Sequence, residues 1–363
     1  MARCGRWAWL LGMALVLVAA GPLRAEDDSV SYMFMVSAPA EVSYMFMNSG
    51  PTAPVSVADT IVDPASLSGA TVMLQGVPTS RWTFGCSATA AGMIFGYYDR
   101  HGFANMYTGP ANGGVAPVTE LGQGIPGDTG YPFAGSCSII ATKNGFDGRV
   151  TNGHVDDYWT GYGNPGPDPF EGVRAEHAWG DCTADYMGTN QWKWDLNLNG
   201  ARDANSDGST TLWAYTSYGG KLYDWIPDPA YGLPQTELCH GMRLFAESRG
   251  YTVVENYTQL IDTVATGGFS FQDYMNEIDS GCPVMIQVEG HSMVGVGYYE
   301  DSQIIYLHDT WGNYVGAMPW GGSYSGMAQR AVTVIHITPE PATLVLLALG
   351  GGLALLRRRR AAA

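Results

Sequence analysis

Apolar residues recur every three or four positions in two segments of the chain, 87–98 and 237–248. This spacing places the apolar side chains on one face and predicts two amphipathic helices. A third helix is predicted at 270–281, because Ser270 stands three residues before Asp273, a pairing typical of a capping box. Each of these helices is therefore expected to pack one face against a core.

Four short apolar runs follow the third predicted helix, at 284–288, 293–299, 304–307 and 331–337. Their length and the turn residues between them predict antiparallel strands joined by tight turns. Helices early in the chain and strands late in the chain indicate an α+β fold class.

Two segments show no helical period. Residues 26–70 contain the sequence SYMFM twice, at 31–35 and 43–47, and its alternation predicts an extended arm. This arm is either a prosegment or an N-terminal strand at the edge of the sheet. Residues 103–234 are rich in Gly, Asn, Asp and aromatic side chains, and they are too long for a loop, so we expect an inserted subdomain.

Both ends of the chain carry targeting patterns. Residues 1–25 combine arginines, a short apolar run and a small-residue cleavage site, which predicts a signal peptide. Within 338–363, Pro-Glu-Pro at 339–341 precedes the uncharged residues 342–356, and four arginines follow. The alternative for this end is a permanent membrane anchor with its arginines in the cytoplasm.

The order of these C-terminal parts resembles the PEP-CTERM sorting signal. The resemblance implies an exosortase-type sorting enzyme as a partner and transient membrane association through residues 342–356. It also implies an exported protein at the surface of a Gram-negative bacterium, or outside the cell.

The charge balance excludes one class of partner. The whole chain has 18 basic and 34 acidic residues, and without the two terminal signals 11 basic and 33 acidic residues remain, a net charge of −22. A body this acidic repels nucleic acid and anionic membranes.

Five cysteines remain outside the leader: Cys86, Cys137, Cys182, Cys239 and Cys282. In an exported protein this odd number predicts two disulfides and one free thiol. The shortest loops favour Cys137 with Cys182 and Cys239 with Cys282, and Cys86 would be the free thiol. The alternative is that some of these cysteines are buried apolar side chains.

Three residues have the chemistry of a thiol nucleophile site. Cys86 opens the first predicted helix, where the helix dipole and a nearby imidazolium would lower its pKa. His291 stands at the start of a predicted strand, from which its ring can project toward that helix. Asp309 follows the next strand and can accept the second imidazole N–H. His308 is the rival imidazole, but alternation points it to the opposite face.

The segments GCSATAAGMIFGYY, GCPVMIQVEGHSMVGVGYY and IIYLHDTWG resemble, in this order, the papain-like cysteine peptidases, most closely their C39-like branch. The resemblance implies a papain-like fold, in which a helix bearing the Cys packs on an antiparallel sheet bearing the His and Asp. It implies hydrolysis of peptide bonds without a cofactor, with Cys86 as nucleophile, His291 as base and then acid, and Asp309 orienting His291. The peptidase domain would span 71–337.

One residue departs from that family's pattern. Its members carry a Gln about six residues before the Cys, which helps to form the oxyanion hole; Ser80 stands there, and Gln75 is eleven residues away. Loss of an oxyanion donor lowers the rate on the order of 100-fold or more. Two other functions therefore stay open: a non-catalytic cell-surface binding protein on the same scaffold, and a thiol amidase or transferase acting on envelope material.

An Asx-rich stretch within the predicted insertion suggests a calcium site. Oxygen-bearing side chains alternate along it and glycines close both runs, as in calcium loops, although the bidentate Glu of an EF-hand is missing. The candidate ligands are Asp195, Asn197, Asn199, Asp203, Asn205 and Asp207. The alternative is a solvated turn. The scattered histidines, His336 among them, are expected to have surface or packing roles.

Overall fold

The structure is a computed structural model. It describes residues 42–48, 61–62, 71–80, 82, 85–107, 115–119, 139–140, 182–189, 208–215, 219–226 and 237–339. Within these residues the chain forms an α+β fold, in which helices cover a large antiparallel sheet.

Four helices lie in the described part of the chain: α1 (Cys86–Arg100), α2 (Thr183–Met187), α3 (Leu238–Ser248) and α4 (Phe271–Asp279). The three predicted helices are confirmed as α1, α3 and α4. The capping box of α4 is present: the Ser270 hydroxyl accepts the Asp273 N–H, and the Asp273 carboxylate accepts the Ser270 N–H.

The early strands are β1 (Val42–Asn48), β2 (Ile61–Val62), β3 (Thr71–Met73), β4 (Thr210–Tyr215) and β5 (Leu222–Tyr223). The later strands are β6 (Tyr251–Leu260), β7 (Val284–Val288), β8 (His291–Tyr299), β9 (Ile304–His308), β10 (Val315–Pro319), β11 (Ser323–Tyr324) and β12 (Met327–Pro339). The four predicted strands are confirmed as β7, β8, β9 and β12.

The main sheet has the strand order β2-β10-β9-β8-β7-β12-β6-β5, and its named pairs are antiparallel. β3 also pairs with β8, and β11 pairs with β12. β1 and β4 form a separate two-stranded sheet. The hairpin of β7 and β8 therefore lies in the middle of the sheet. The beginning of β8 contacts the beginning of α1.

Both faces of the main sheet are buried, because side chains alternate between two apolar clusters. On one face Met285 and Val294 pack with α1 and α3, whose Phe95 and Phe245 rings lie 4.7 Å apart. On the other face Ile286 packs with Tyr274 of α4. α1 is thus buried along its length, including its first turn.

Described parts of 103–234 join the same core. Ile140 lies against Gly92 of α1, where an added Cβ would meet the Ile140 side chain at 2.2 Å. The Thr183 hydroxyl donates to the Ala88 carbonyl at 2.8 Å, and β5 pairs with β6. The second SYMFM repeat lies in a strand, β1, as its alternation predicts.

Other predictions fall outside the described residues. They concern the signal peptide at 1–25, the sorting signal with its apolar residues 342–356, and the calcium ligands Asp195, Asn197, Asn199, Asp203, Asn205 and Asp207. No helix in the described part of the chain combines the length and apolar character needed to cross a membrane.

The predicted disulfide between Cys239 and Cys282 is wrong, because both side chains are free thiols. Cys239 is buried in the first turn of α3, whereas Cys282 follows α4 and is partly exposed. Short separation along the chain favoured this pair, but the two helices pack against different clusters. The predicted pairing of Cys137 with Cys182 is wrong as well, because Cys182 is one of the cysteines that form no disulfide.

Candidate active site

Cys86 is the first residue of α1 and is completely buried. Gly85 before it has a φ of 108°, and a Cβ there would lie 2.2 Å from the Gly208 carbonyl oxygen. Only glycine fits this close approach of two backbones. The Thr89 hydroxyl donates to the Gly85 carbonyl at 2.7 Å and fixes the first turn. The thiol therefore lies at the helix start, as the sequence predicts, but it is buried, and the Gly208 backbone packs against the preceding residue, Gly85.

His291 begins β8 after a tight turn through Glu289 and Gly290, whose φ is 72°. The next residue joins the strand to the thiol, because the Ser292 N–H donates to Cys86 Sγ at 3.2 Å. Cys86 Sγ thus lies against the peptide unit that follows His291. The fold brings together two residues that are 205 positions apart in sequence.

The His291 ring has a defined tautomer. Its Nε2 lies 2.7 Å from the Asp309 carbonyl oxygen, and a carbonyl only accepts, so Nε2 carries the proton. In the neutral ring Nδ1 is then a bare acceptor, and it is buried without a hydrogen-bond partner. Trp311 stacks on the ring with centroids 4.6 Å apart and an interplanar angle of 19°. His291 therefore offers a buried, unoccupied base nitrogen.

Asp309 contacts His291 differently from the expectation. Its backbone carbonyl, and not its carboxylate, accepts the imidazole N–H. The carboxylate instead accepts the Trp311 N–H at 2.9 Å and the Tyr324 hydroxyl at 2.8 Å. Thr310 between them has a φ of 65°, a strained conformation for a β-branched residue. This turn directs the carbonyl to His291 and places Trp311 over the ring.

Burial has the largest effect on the pKa values of Cys86 and His291. It raises the pKa of Cys86 to about 11, although hydrogen bonds from Ser292 and Ser87 oppose the shift. It lowers the pKa of His291 to about 4, although the Asp309 carbonyl opposes this shift. The expectation of a lowered thiol pKa is therefore wrong for this conformation, in which a neutral thiol faces a neutral imidazole.

Two serines connect the helix start to the sheet. The Ser292 hydroxyl donates to Gln287 Oε1 at 2.7 Å, so it accepts from the Ser87 hydroxyl, which is 2.8 Å away. Ser87 Oγ also lies 3.9 Å from Cys86 Sγ. Ser87 directly follows Cys86 in the sequence, and Ser292 directly follows His291. This adjacency to the predicted catalytic residues is the sequence signal that could have identified the two serines. They hold the thiol-bearing turn against the β7-β8 hairpin.

Gln75 does not serve as an oxyanion donor here. Its side chain is exposed, and its amide donates to the Met73 carbonyl at 3.3 Å, whereas Cys86 is buried. The second donor that the papain-like pattern requires is thus not supplied by this glutamine.

We expect the free energy of unfolding to depend on His291 and His308 below pH 6.5. Burial lowers the pKa of each ring to about 4, and His308 is held by the Pro78 carbonyl at 2.9 Å. Between pH 6.5 and pH 4 the unfolded chain binds more protons at these rings, so stability falls as the pH falls. Each ring contributes about 3 kcal/mol, fully present above pH 6.5.

The measurement is urea unfolding at several pH values for the wild type, His291→Gln and His308→Gln. Burial raises the pKa of Glu237 to about 8, so this residue makes the protein more stable as the pH falls. Its contribution is the same in the wild type and the variants and cancels when they are compared. His291→Gln and His308→Gln should each lose less stability than the wild type on acidification. His101→Gln changes an exposed residue and is the control, which should behave as the wild type. Parallel curves for all four proteins would contradict the burial of neutral rings.

Residues 196–329 match the model of a family described as Peptidase_C39 like. The match covers a little more than a third of the chain; it includes His291 and Asp309 but not Cys86. No curated protein and no solved structure is significantly similar to the chain. This part of the chain is therefore similar to C39-like cysteine peptidases, which indicates a cysteine-peptidase-like function and a peptide or protein substrate.

Proposed function

We propose that the protein is an exported cysteine peptidase of the C39-like, papain-like type, with Cys86 as nucleophile. One observation carries the proposal: the Ser292 N–H donates to Cys86 Sγ at 3.2 Å, which places a helix-start thiol at the beginning of the strand that bears His291. The family match over residues 196–329 supports the same chemistry.

In the proposed reaction His291 Nδ1 takes the proton of the Cys86 thiol, and the sulfur attacks the carbonyl carbon of the scissile peptide bond. Nδ1–H then protonates the leaving amine, and a water activated by the same nitrogen hydrolyses the thioester. The Asp309 carbonyl holds Nε2–H throughout, at 2.7 Å in this structure. Because Nδ1 is free of hydrogen-bond partners, no contact has to break before it accepts the proton.

This conformation represents a closed state of the site. Cys86, His291 and Asp309 are all fully buried, and Cys86 Sγ contacts Ser87 and Ser292. Substrate therefore requires an opening that exposes the thiol and brings Sγ within hydrogen-bond distance of Nδ1. Opening also admits water, which removes the desolvation that raises the thiol pKa.

The second candidate is a non-catalytic binding protein on the same scaffold. The observation in its favour is the burial of Cys86, which raises its pKa to about 11 and disfavours a thiolate. A thiol amidase or transferase would use the same side chains, and substrate profiling separates it from a peptidase. Export, sorting by an exosortase-type enzyme and membrane association through residues 342–356 belong to the proposal on sequence grounds alone.

Inactivation by iodoacetamide tests the function. We expect the purified full chain to hydrolyse a mixed peptide library, and activity to fall in proportion to alkylation of Cys86. Cys282 is partly exposed and should be alkylated first, without loss of activity, because it lies outside the site. Peptide mass mapping at successive times gives the modified fraction of each cysteine.

The control is Cys239→Ser, which removes another buried thiol from the first turn of a helix and should be inactivated at the wild-type rate. Peptide binding without hydrolysis by the unmodified protein would favour the binding scaffold. Loss of activity while Cys86 is still unmodified would exclude it as the nucleophile.

A further inference from the structure

Three metal-ligating side chains converge outside the candidate active site. They are Glu277 near the end of α4, Cys282 just before β7 and His336 on β12, and their donor atoms all lie within 4.8 Å of one another. All three residues are partly exposed, so an ion can reach them from solvent. Cys282 is a free thiol and is therefore available as a ligand.

The His336 ring is held as in a metal-ligating histidine. Its Nε2 faces the cluster, 2.7 Å from Glu277 Oε2, while its Nδ1 lies 3.1 Å from Glu255 Oε2. Glu255 is the cross-strand partner of His336 in the pairing of β6 with β12, and Lys221 bonds it at 2.6 Å. A carboxylate that accepts the second ring N–H fixes the tautomer and leaves the other nitrogen free for a metal.

The donor set selects the class of metal. One sulfur, one nitrogen and one oxygen with a fourth position for water suit Zn²⁺ and similar divalent transition ions, whereas Ca²⁺ and Mg²⁺ prefer oxygen alone. Tetrahedral coordination at ordinary Zn–N and Zn–O distances separates those two ligand atoms by about 3.3 Å. The present distance of 2.7 Å between His336 Nε2 and Glu277 Oε2 needs only a small side-chain movement to reach that value.

A cavity of about 270 Å³ adjoins the cluster, and both Glu277 and Lys221 line it. It gives the ion a route to the carboxylate and leaves space for a fourth ligand. The alternative role for these side chains is an ion-pair network without metal, in which a protonated His336 bridges Glu277 and Glu255.

We propose that Glu277, Cys282 and His336 bind one zinc-type divalent transition metal ion, and that Glu255 positions His336 for it. On binding, Cys282 loses its proton to solvent and coordinates as the thiolate. His336 releases to solvent the Nε2 proton that Glu277 accepts before the metal binds, keeps its Nδ1 proton, which it donates to Glu255, and coordinates through Nε2. With a thiolate and a carboxylate as ligands, the divalent ion leaves the site neutral. The proposal is independent of peptidase activity.

Titration of the reduced full chain with Co²⁺ tests the site. We expect one equivalent to give a thiolate-to-cobalt charge-transfer band in the near ultraviolet with the visible bands of a tetrahedral ion, and Zn²⁺ to abolish both. Cys282→Ser should lose the charge-transfer band, whereas Cys86→Ser should keep it. Cobalt held by the oxygen ligands predicted at 195–207 would give no thiolate band.

The positioning role has its own measurement. Glu255→Gln should keep the thiolate band but weaken Co²⁺ affinity by about 10- to 100-fold, the effect of removing an outer carboxylate. Zn²⁺ should raise the melting temperature of the wild type and not of Cys282→Ser, which also reports whether that variant folds. Absence of the band in the wild type, or its persistence in Cys282→Ser, would leave the ion-pair network as the role of these residues.

Discussion

Replacing Cys86 with serine should lower kcat/KM for peptide hydrolysis by about 10⁴-fold or more, since loss of the nucleophile in a hydrolase of this type removes most of the rate enhancement. The fold should persist. A serine hydroxyl is close in size to the thiol and can accept the Ser292 N–H that Sγ accepts at 3.2 Å. The measurement is kcat/KM on a fluorogenic peptide chosen from the library, together with the melting temperature.

The matched control for this variant is Cys239→Ser. Cys239 is also buried in the first turn of a helix, α3, but it lies beside Asn256 of β6 and not at the β7-β8 hairpin. It should retain activity. Hydrolysis by Cys86→Ser at the wild-type rate would remove Cys86 from the mechanism, and a collapse of the melting temperature only in Cys86→Ser would point to a packing role.

The elements that carry the site were predictable because local signals agree with the tertiary fold. The capping pair at Ser270 and Asp273 marks the start of α4, and the apolar run 284–288 is strand β7 with the same limits. Strand β6 was missed, because its alternation is interrupted and its buried half contains polar residues such as Asn256 and Gln259. Their side-chain amides donate to the carbonyls of Cys239 and Gly219, tertiary contacts that periodicity does not report.

The details of the site were less predictable. The orientation of His291 depends on the backbone of Asp309, which is set by the positive φ of Thr310, and no local rule favours threonine there. The pKa of Cys86 follows from the complete burial of its thiol, and part of the packing at this helix start comes from Gly208, which lies against Gly85 from 123 positions away in sequence. A helix-start location alone predicted the opposite direction.

The cluster around His336 escaped sequence analysis for a related reason. Glu277, Cys282 and His336 lie on separate elements, and no metal-binding spacing joins them. Only the register of β6 with β12, which sets His336 opposite Glu255, reveals the arrangement. In the sequence, His336 is a single histidine near the end of a predicted strand, and nothing beside it indicates a metal site.

The His291→Ala change should lower kcat/KM by about 10⁴-fold or more, and Asp309→Asn should cost less than about 100-fold. Loss of the base removes the proton acceptor of the thiol, with an effect close to that of losing the nucleophile. In a serine peptidase the Asp-to-Asn change is severe because the imidazole adopts the wrong tautomer. Here the backbone carbonyl of Asp309 fixes the tautomer, and an asparagine keeps that carbonyl.

Two further variants separate orientation from packing. His291→Gln keeps a donor for the Asp309 carbonyl and much of the volume under Trp311, so it should be as inactive as His291→Ala but more stable. Tyr324→Phe removes the hydroxyl that donates to Asp309 Oδ2 and should leave kcat/KM within about 10-fold, because the carboxylate keeps its bond from the Trp311 N–H. Equal losses in His291→Ala and Asp309→Asn would mean that the carboxylate, and not the backbone carbonyl, orients the imidazole during the reaction.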